Sequence, residues 1–280
     1  MHCNRCILSL MEIIHAILLG IIEGLTEFLP ISSTGHLIVA EDLLNYKDTS
    51  KIFTVVIQMG AIAAVIWYYR RDLWQLVKGL IKNETNARRF WLVWILATIP
   101  AGLAGLIFDA QFDTYATLTT VAVALIVGGV IIWLIENFHR SPPDRSQAAH
   151  LEKITIKQSV AIGLYQTLAL IPGVSRSGAT ILGGMLSGLD RVTATAFSFY
   201  LSIPILLLAG IYKLVSGDVS SVTGGSSALV IGVLAAFFTA LFVISWLLKY
   251  VSAHDFKPFA YYRIAVGVIL LMLIGIGTVG

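Results

Sequence analysis

The sequence predicts an all-α integral membrane protein: six transmembrane helices plus two re-entrant helical hairpins arranged as an inverted repeat. Three observations carry this. First, 57% of the 280 residues are hydrophobic and only 12% charged, against about 25% charged in a soluble domain, and the mean hydropathy is +0.85. Second, six apolar stretches, 52–69, 90–108, 115–138, 193–214, 228–250 and 259–279, approach or reach the ~20 residues that cross a hydrocarbon core. Third, two further apolar stretches break at polar turns. Residues 7–29 run into Ser32-Ser33-Thr34 and resume to 44, and residues 158–171 break at Pro172-Gly173 and resume to 189. Each returning half is too short to cross, and irregular backbone at membrane depth is tolerated only inside protein or along a watery cavity.

From the N-terminus, Cys3 and Cys6 with His2 have metal-ligand spacing but sit at an extreme terminus, where fraying is the expectation. Glu12 and His15 interrupt the apolar run after Arg5, so a retained segment is expected and not a cleaved signal peptide. In the first hairpin, Pro30 disfavours helix at Leu29, and the hydroxyls that follow can cap a second helix beginning near Gly35. Arg70, Arg71, Lys78, Lys82, Arg88 and Arg89 crowd one connecting loop, Arg140, Arg145, Lys153 and Lys157 another, and Lys249, Lys257 and Arg263 are assigned to the loop before the last span. These connections are expected inside, and the one holding Asp109 and Asp113 outside. Both termini then fall on the outer face. The modest net charge of +3 fits this membrane topology, and nucleic acid is not an expected partner.

A shift of 143 residues lays Gly20 on Gly163, Glu23 on Gln166, Ser32 on Ser175, Thr34 on Ser177 and Gly35 on Gly178. The expected organisation is a first repeat over 1–140 with its hairpin at 7–44, a cytoplasmic linker over 141–157, and a second repeat over 158–280 with its hairpin at 158–189. Three spans is an odd number, so the halves are inverted. Gly20 and Gly24, Gly102 and Gly105, Gly128-Gly129 and Gly183-Gly184 are expected to let helices approach closely.

The first break holds Glu23-Gly-Leu-Thr-Glu27-Phe-Leu-Pro30 and then Ser32-Ser33-Thr34-Gly35-His36. On a helix Glu23 and Glu27 share a face, and two such carboxylates in a poorly solvated place repel each other unless a cation lies between them. The second break holds Pro172-Gly-Val-Ser175-Arg176-Ser177-Gly-Ala-Thr180. Arg176 is the only charge between Lys157 and Asp190, and an intramembrane arginine marks a functional residue by default. A guanidinium beside serines at a helix start suits an anion; the alternative is an ion pair with Glu23 or Glu27, which also requires the two tips to meet.

These two motifs, almost verbatim, and the layout of nearly the whole chain resemble the undecaprenyl-diphosphate phosphatase family, the bacitracin-resistance proteins. The resemblance implies a bacterial inner-membrane enzyme that hydrolyses undecaprenyl diphosphate to undecaprenyl phosphate and inorganic phosphate. It thereby recycles the lipid carrier for cell-wall synthesis and confers bacitracin resistance. A long-chain isoprenyl diphosphate is the implied lipid partner, and a homodimer is left open. The topology puts the active site towards the outer, periplasmic side. The resemblance also implies dependence on a divalent metal; Glu23 and Glu27 would suit Mg²⁺ or Ca²⁺, which take carboxylate and phosphate oxygens together.

Phosphoryl transfer rests mainly on positioning and electrostatics. Ser33 is the expected nucleophile with Glu27 or His36 as base, and a water activated by the same groups is the rival. Arg176 completes the expected catalytic set. Ser32, Thr34, Ser175, Ser177 and Thr180 are expected to bind substrate while also capping helices, and Gln58 and Gln166 to hydrogen-bond between helices. The competing function class is a secondary transporter or lipid-carrier flippase, since inverted repeats with broken helices are also transporter architecture. The concentration of serines, arginine, histidine and glutamates favours phosphoryl chemistry.

Overall fold

The computed structural model describes residues 2–46, 48, 51–114, 116–138, 149–216 and 222–279, with side chains from residue 11 onward except at 109–114. The expectations placed on the side chains of His2, Cys3, Cys6, Asp109 and Asp113, and on Arg140 and Arg145, lie outside the described residues. Among those residues the regular structure is helical: α1 (His2–Thr26), α2 (Ser33–Leu43), α3 (Ile52–Tyr68), α4 (Arg70–Ile81), α5 (Thr85–Thr114), α6 (Leu118–Phe138), α7 (Ile156–Thr167), α8 (Arg176–Leu186), α9 (Arg191–Ser216), α10 (Gly225–Val251) and α11 (Lys257–Gly275). Five of these, α5, α6, α9, α10 and α11, are long and apolar enough to cross a membrane, and the α3–α4 pair, bent by 71°, makes a sixth if counted as one span.

Two expectations about the basic segments change. Residues 70–89 are not a loop: α4 occupies most of them and α5 begins at Thr85. The reason is a helical period in which Leu73 and Leu76 pack on the core while Arg70, Arg71, Trp74 and Lys78 stay exposed, the pattern of a helix lying at a membrane surface. Arg263 is not a loop charge either. It lies within α11 and is 2% exposed.

The helices pack symmetrically. α1 lies against α10 and α7 against α5, while α3 packs on α9 and α6 on α11; the 143-residue offset exchanges the first two pairs and maps each of the others onto itself. Glycine permits the close approaches. A Cβ on Gly24 would come within 2.6 Å of Ala236 O on α10, and one on Gly163 within 2.7 Å of Ala97 O on α5. Gly102 and Gly105 do not belong with them, for a Cβ there would meet nothing nearer than 4.0 and 3.8 Å. Pro204 inside α9 leaves the Tyr200 carbonyl without its helical N–H, and Trp94 Nε1 donates to that oxygen at 2.9 Å. The packed centre, including Phe28 against Phe199 at 5.2 Å between ring centroids, lies next to the turns at 27–32 and 171–175.

Candidate active site

Each turn ends in a serine that caps the following helix. Ser32 Oγ accepts from Gly35 N at 3.3 Å and Ser175 Oγ from Gly178 N at 3.0 Å, so α2 and α8 begin at equivalent points of the two halves. α1 stops at Thr26, three residues before Leu29, because the restriction imposed by Pro30 turns the chain early; Glu27 N still reaches Glu23 O at 2.9 Å. Ser32 carries φ 73°, a conformation uncommon for a residue with a Cβ and found where surroundings enforce it.

The two tips meet. Arg176 Nη2 donates to Glu27 Oε1 at 3.1 Å and Nη1 to Ser198 O at 3.0 Å. Ser177 Oγ donates to Leu29 O at 2.7 Å and lies 2.8 Å from Ser175 Oγ. The Ser33 hydroxyl donates to Glu27 Oε2. Glu27 therefore stands between the hydroxyl of one tip and the guanidinium of the other, 6% exposed. A cavity of about 180 Å³ opens over this group, lined by Glu27, Ser32, Ser33, Thr34, Ser175 and Arg176, by the amides Gln58 and Gln166, and by apolar residues of α5 and α9.

The other expected residues sit around this centre. Glu23 is fully buried, and neither carboxylate oxygen has a hydrogen-bond partner. Thr180 Oγ1 bonds Arg176 O at 2.9 Å and Ser198 Oγ at 2.6 Å, which ties α8 to α9 behind the cavity. Ser177 likewise braces the tips and does not line the cavity. His36 turns away: Nδ1 is 2.7 Å from Ser32 O and Nε2 2.8 Å from the Tyr262 hydroxyl, with the two rings stacked. A carbonyl only accepts, so Nδ1 carries the proton and Nε2 accepts from Tyr262. Gln166 does bond across helices, Nε2 to Ala97 O at 3.3 Å, but its Oε1 is buried without a partner.

Arg263 is the residue that sequence reasoning missed. Its guanidinium donates to Pro30 O at 3.0 Å, Gly173 O at 3.1 Å, Ala124 O at 2.9 Å and Leu125 O at 3.3 Å, so one buried cation holds a carbonyl from each tip. Gly128 makes the space, since a Cβ there would collide with the guanidinium. The available signal was a second arginine inside an apolar segment, at Arg263, with Gly128-Gly129 on a different helix.

For a divalent cation, the unpartnered Glu23 carboxylate one turn from Glu27 is a fitting donor set, because hard cations take carboxylate oxygens. Both Glu27 oxygens already have partners, so Glu23 is the freer ligand. Among the described residues no group of three or more His, Cys, Asp or Glu converges; phosphate oxygens and water would have to supply the remaining ligands.

Buried serines, an arginine and two carboxylates between two helix starts, within an all-helical membrane fold, define a membrane protein equipped for phosphate chemistry. Comparison with known proteins agrees. The family model described as "Bacitracin resistance protein BacA" matches residues 16–269, and the chain belongs to that family. It is 46% identical over 260 residues to "Undecaprenyl-diphosphatase 1" of Burkholderia lata, covering 92% of this chain and 94% of that one. It is also 46% identical over 273 residues to the protein of the same name from Acinetobacter baylyi, covering 95% and 97%. The "Undecaprenyl-diphosphatase" of Methylobacillus flagellatus is 46% identical over 268 residues, covering 94% and 98%.

Proposed function

We propose that this chain is a membrane phosphatase that hydrolyses undecaprenyl diphosphate to undecaprenyl phosphate and inorganic phosphate, recycling the lipid carrier for cell-wall synthesis. The observation that carries this is the Ser33 hydroxyl held on Glu27 while Arg176 holds the other Glu27 oxygen. A nucleophile bonded to a base that is itself oriented is the arrangement covalent catalysis requires.

In the proposed first step Ser33 Oγ attacks the terminal phosphorus, its proton passes to Glu27, and the bond to the bridging oxygen breaks. Undecaprenyl phosphate leaves. Glu27 passes that proton to the departing phosphate and is again a carboxylate when water attacks the phosphoserine. It takes the water's proton and gives it to Ser33 Oγ as the bond from Oγ to phosphorus breaks, releasing inorganic phosphate. Arg176 and the free amides at the starts of α2 and α8 offset the negative charge that the substrate brings. Glu27 takes the base role in this reading because His36 is engaged with Ser32 and Tyr262. Glu23, with Glu27, would hold Mg²⁺ or Ca²⁺, which would supply further neutralisation of phosphate charge. Ser32, Thr34 and Ser175 contact the phosphates from the cavity wall, whereas Ser177 keeps the tips in register and Thr180 ties α8 to α9.

The same reading takes residues 7–44 and 158–189 as re-entrant hairpins and the halves 1–140 and 158–280 as inverted repeats, with the cavity facing the outer side of the inner membrane. Symmetric helix packing and the asymmetry of basic residues support it. Purified protein in detergent is expected to release inorganic phosphate from a long-chain isoprenyl diphosphate, leave the monophosphate, and lose activity with chelator. Detergent abolishes the two compartments that transport needs. Absence of release across several lipids and metals would return the reading to a transporter or flippase.

A further inference from the structure

A second cavity, of about 390 Å³, is larger than the one over Glu27 and lies at the other end of α3 and α9. Its size falls among ligand-binding pockets of roughly 300–1,000 Å³. Tyr69 and Tyr200 line it although they are only 8% and 1% exposed, and neither hydroxyl has a hydrogen-bond partner among the described residues. Tyr68 adds a third phenol. At the mouth stand two opposite charges, Asp72 at the start of α4 and Lys249 near the end of α10. Both are exposed, and they form no ion pair with each other or with another described residue. Leu248 belongs to the apolar part of the wall.

The surroundings fix the depth of this cavity. Trp67 and Trp74, on the same stretch of chain as the lining residues Tyr68, Tyr69 and Asp72, are exposed, with Arg70 at 4.7 Å from one ring and Lys78 at 5.1 Å from the other. Exposed tryptophans and basic side chains at the end of a span sit at the level of lipid headgroups. A cavity there with phenols inside and separated, unpaired charges at its mouth matches a ligand that carries both signs.

We propose that this cavity binds a phosphoethanolamine headgroup of a membrane phospholipid. The phosphate oxygens accept from Lys249 and the tyrosine hydroxyls, and the primary ammonium donates to the Asp72 carboxylate. A choline headgroup carries the same net charge but has no N–H to donate. A purely anionic headgroup leaves Asp72 unpaired and repelled.

Native mass spectrometry of the detergent-purified full chain, with lipids of identical acyl chains, tests this. The wild type is expected to bind phosphatidylethanolamine about tenfold tighter than phosphatidylcholine, the worth of one charge-assisted hydrogen bond. Asp72→Asn should erase most of that preference while leaving phosphatidylcholine binding unchanged, and Lys249→Gln should weaken both lipids alike. Tyr69→Phe with Tyr200→Phe should weaken both lipids without altering their ratio. Thermal unfolding of each variant verifies the fold. Equal binding of the two lipids by the wild type, a preference that survives Asp72→Asn, or tighter binding of phosphatidylglycerol overturns the proposal. Free phosphoethanolamine that displaces the lipid at equal concentration overturns its lipid source.

Discussion

Replacing Arg263 with methionine tests how the site is held together, because the side chain touches neither the cavity nor any other charge. The substitution keeps a long apolar stem and strips a donor from four carbonyls, two of them at the tips, Pro30 O and Gly173 O. Hydrogen bonds from a charged donor contribute about 1.5–3 kcal/mol each, a gross loss of roughly 6–12 kcal/mol. Several kcal/mol return because a guanidinium no longer has to be buried. The net destabilisation expected is about 3–5 kcal/mol, which at 2–4 °C per kcal/mol lowers the unfolding midpoint by roughly 10 °C. Activity should fall further than stability alone implies, since a displacement near 1 Å between Ser33 and Arg176 costs about 100-fold in rate. Arg263→Lys should lie between, because three donors cannot serve four carbonyls. Thermal unfolding in detergent and phosphate release measure the two effects. If Arg263→Met unfolds within about 2 °C of the wild type and keeps more than about half its turnover, Arg263 does not hold the tips.

Ser33→Ala is expected to lose several orders of magnitude in phosphate release, whereas Ser32→Ala and Thr34→Ala remove one hydrogen bond and should fall by about tenfold at most; a folded Ser33→Ala above a tenth of wild-type turnover would replace the serine with an activated water. Arg176→Lys should be severely impaired, because an ammonium cannot grip Glu27 and Ser198 O together as the planar guanidinium does, and kinetics on a monodisperse sample would show it. Glu23→Gln should raise the unfolding midpoint in chelator by removing a buried unpartnered carboxylate, and should abolish stabilisation by Mg²⁺ or Ca²⁺, which for a bound ion is about 2.7 kcal/mol at 100 times its Kd. A midpoint shift with metal as large as that of the wild type refutes the cation assignment. For topology, a cysteine at Thr117 should label from outside intact cells and one at Lys82 only after permeabilisation; the reverse pattern would place the cavity on the cytoplasmic side.

Much of the site was legible because its chemistry conflicts with its setting. Glu23, Glu27 and Arg176 are charges inside apolar segments, where an ionised group needs a partner or a function, and that conflict is visible without coordinates. Cap positions were equally legible, since Ser32 and Ser175 precede helix starts in both motifs. His36 belongs to the same motif as Ser33, yet only the fold shows its ring turned to Tyr262, 226 residues away in sequence. The α3–α4 bend was hidden because a basic amphipathic helix and a basic loop share composition and differ only in period.

By itself the sequence determined the membrane class, the broken segments and the polar groups gathered at the two breaks, because each follows from local composition and spacing. Tertiary structure alone decided which groups converge. Arg263 is the clearest case: its role depends on carbonyl oxygens from Pro30, Ala124, Leu125 and Gly173, and a carbonyl is present at every residue, so no side-chain pattern marks the acceptors. Only packing that places α11 against α6, and leaves room at Gly128, brings that one cation to both tips.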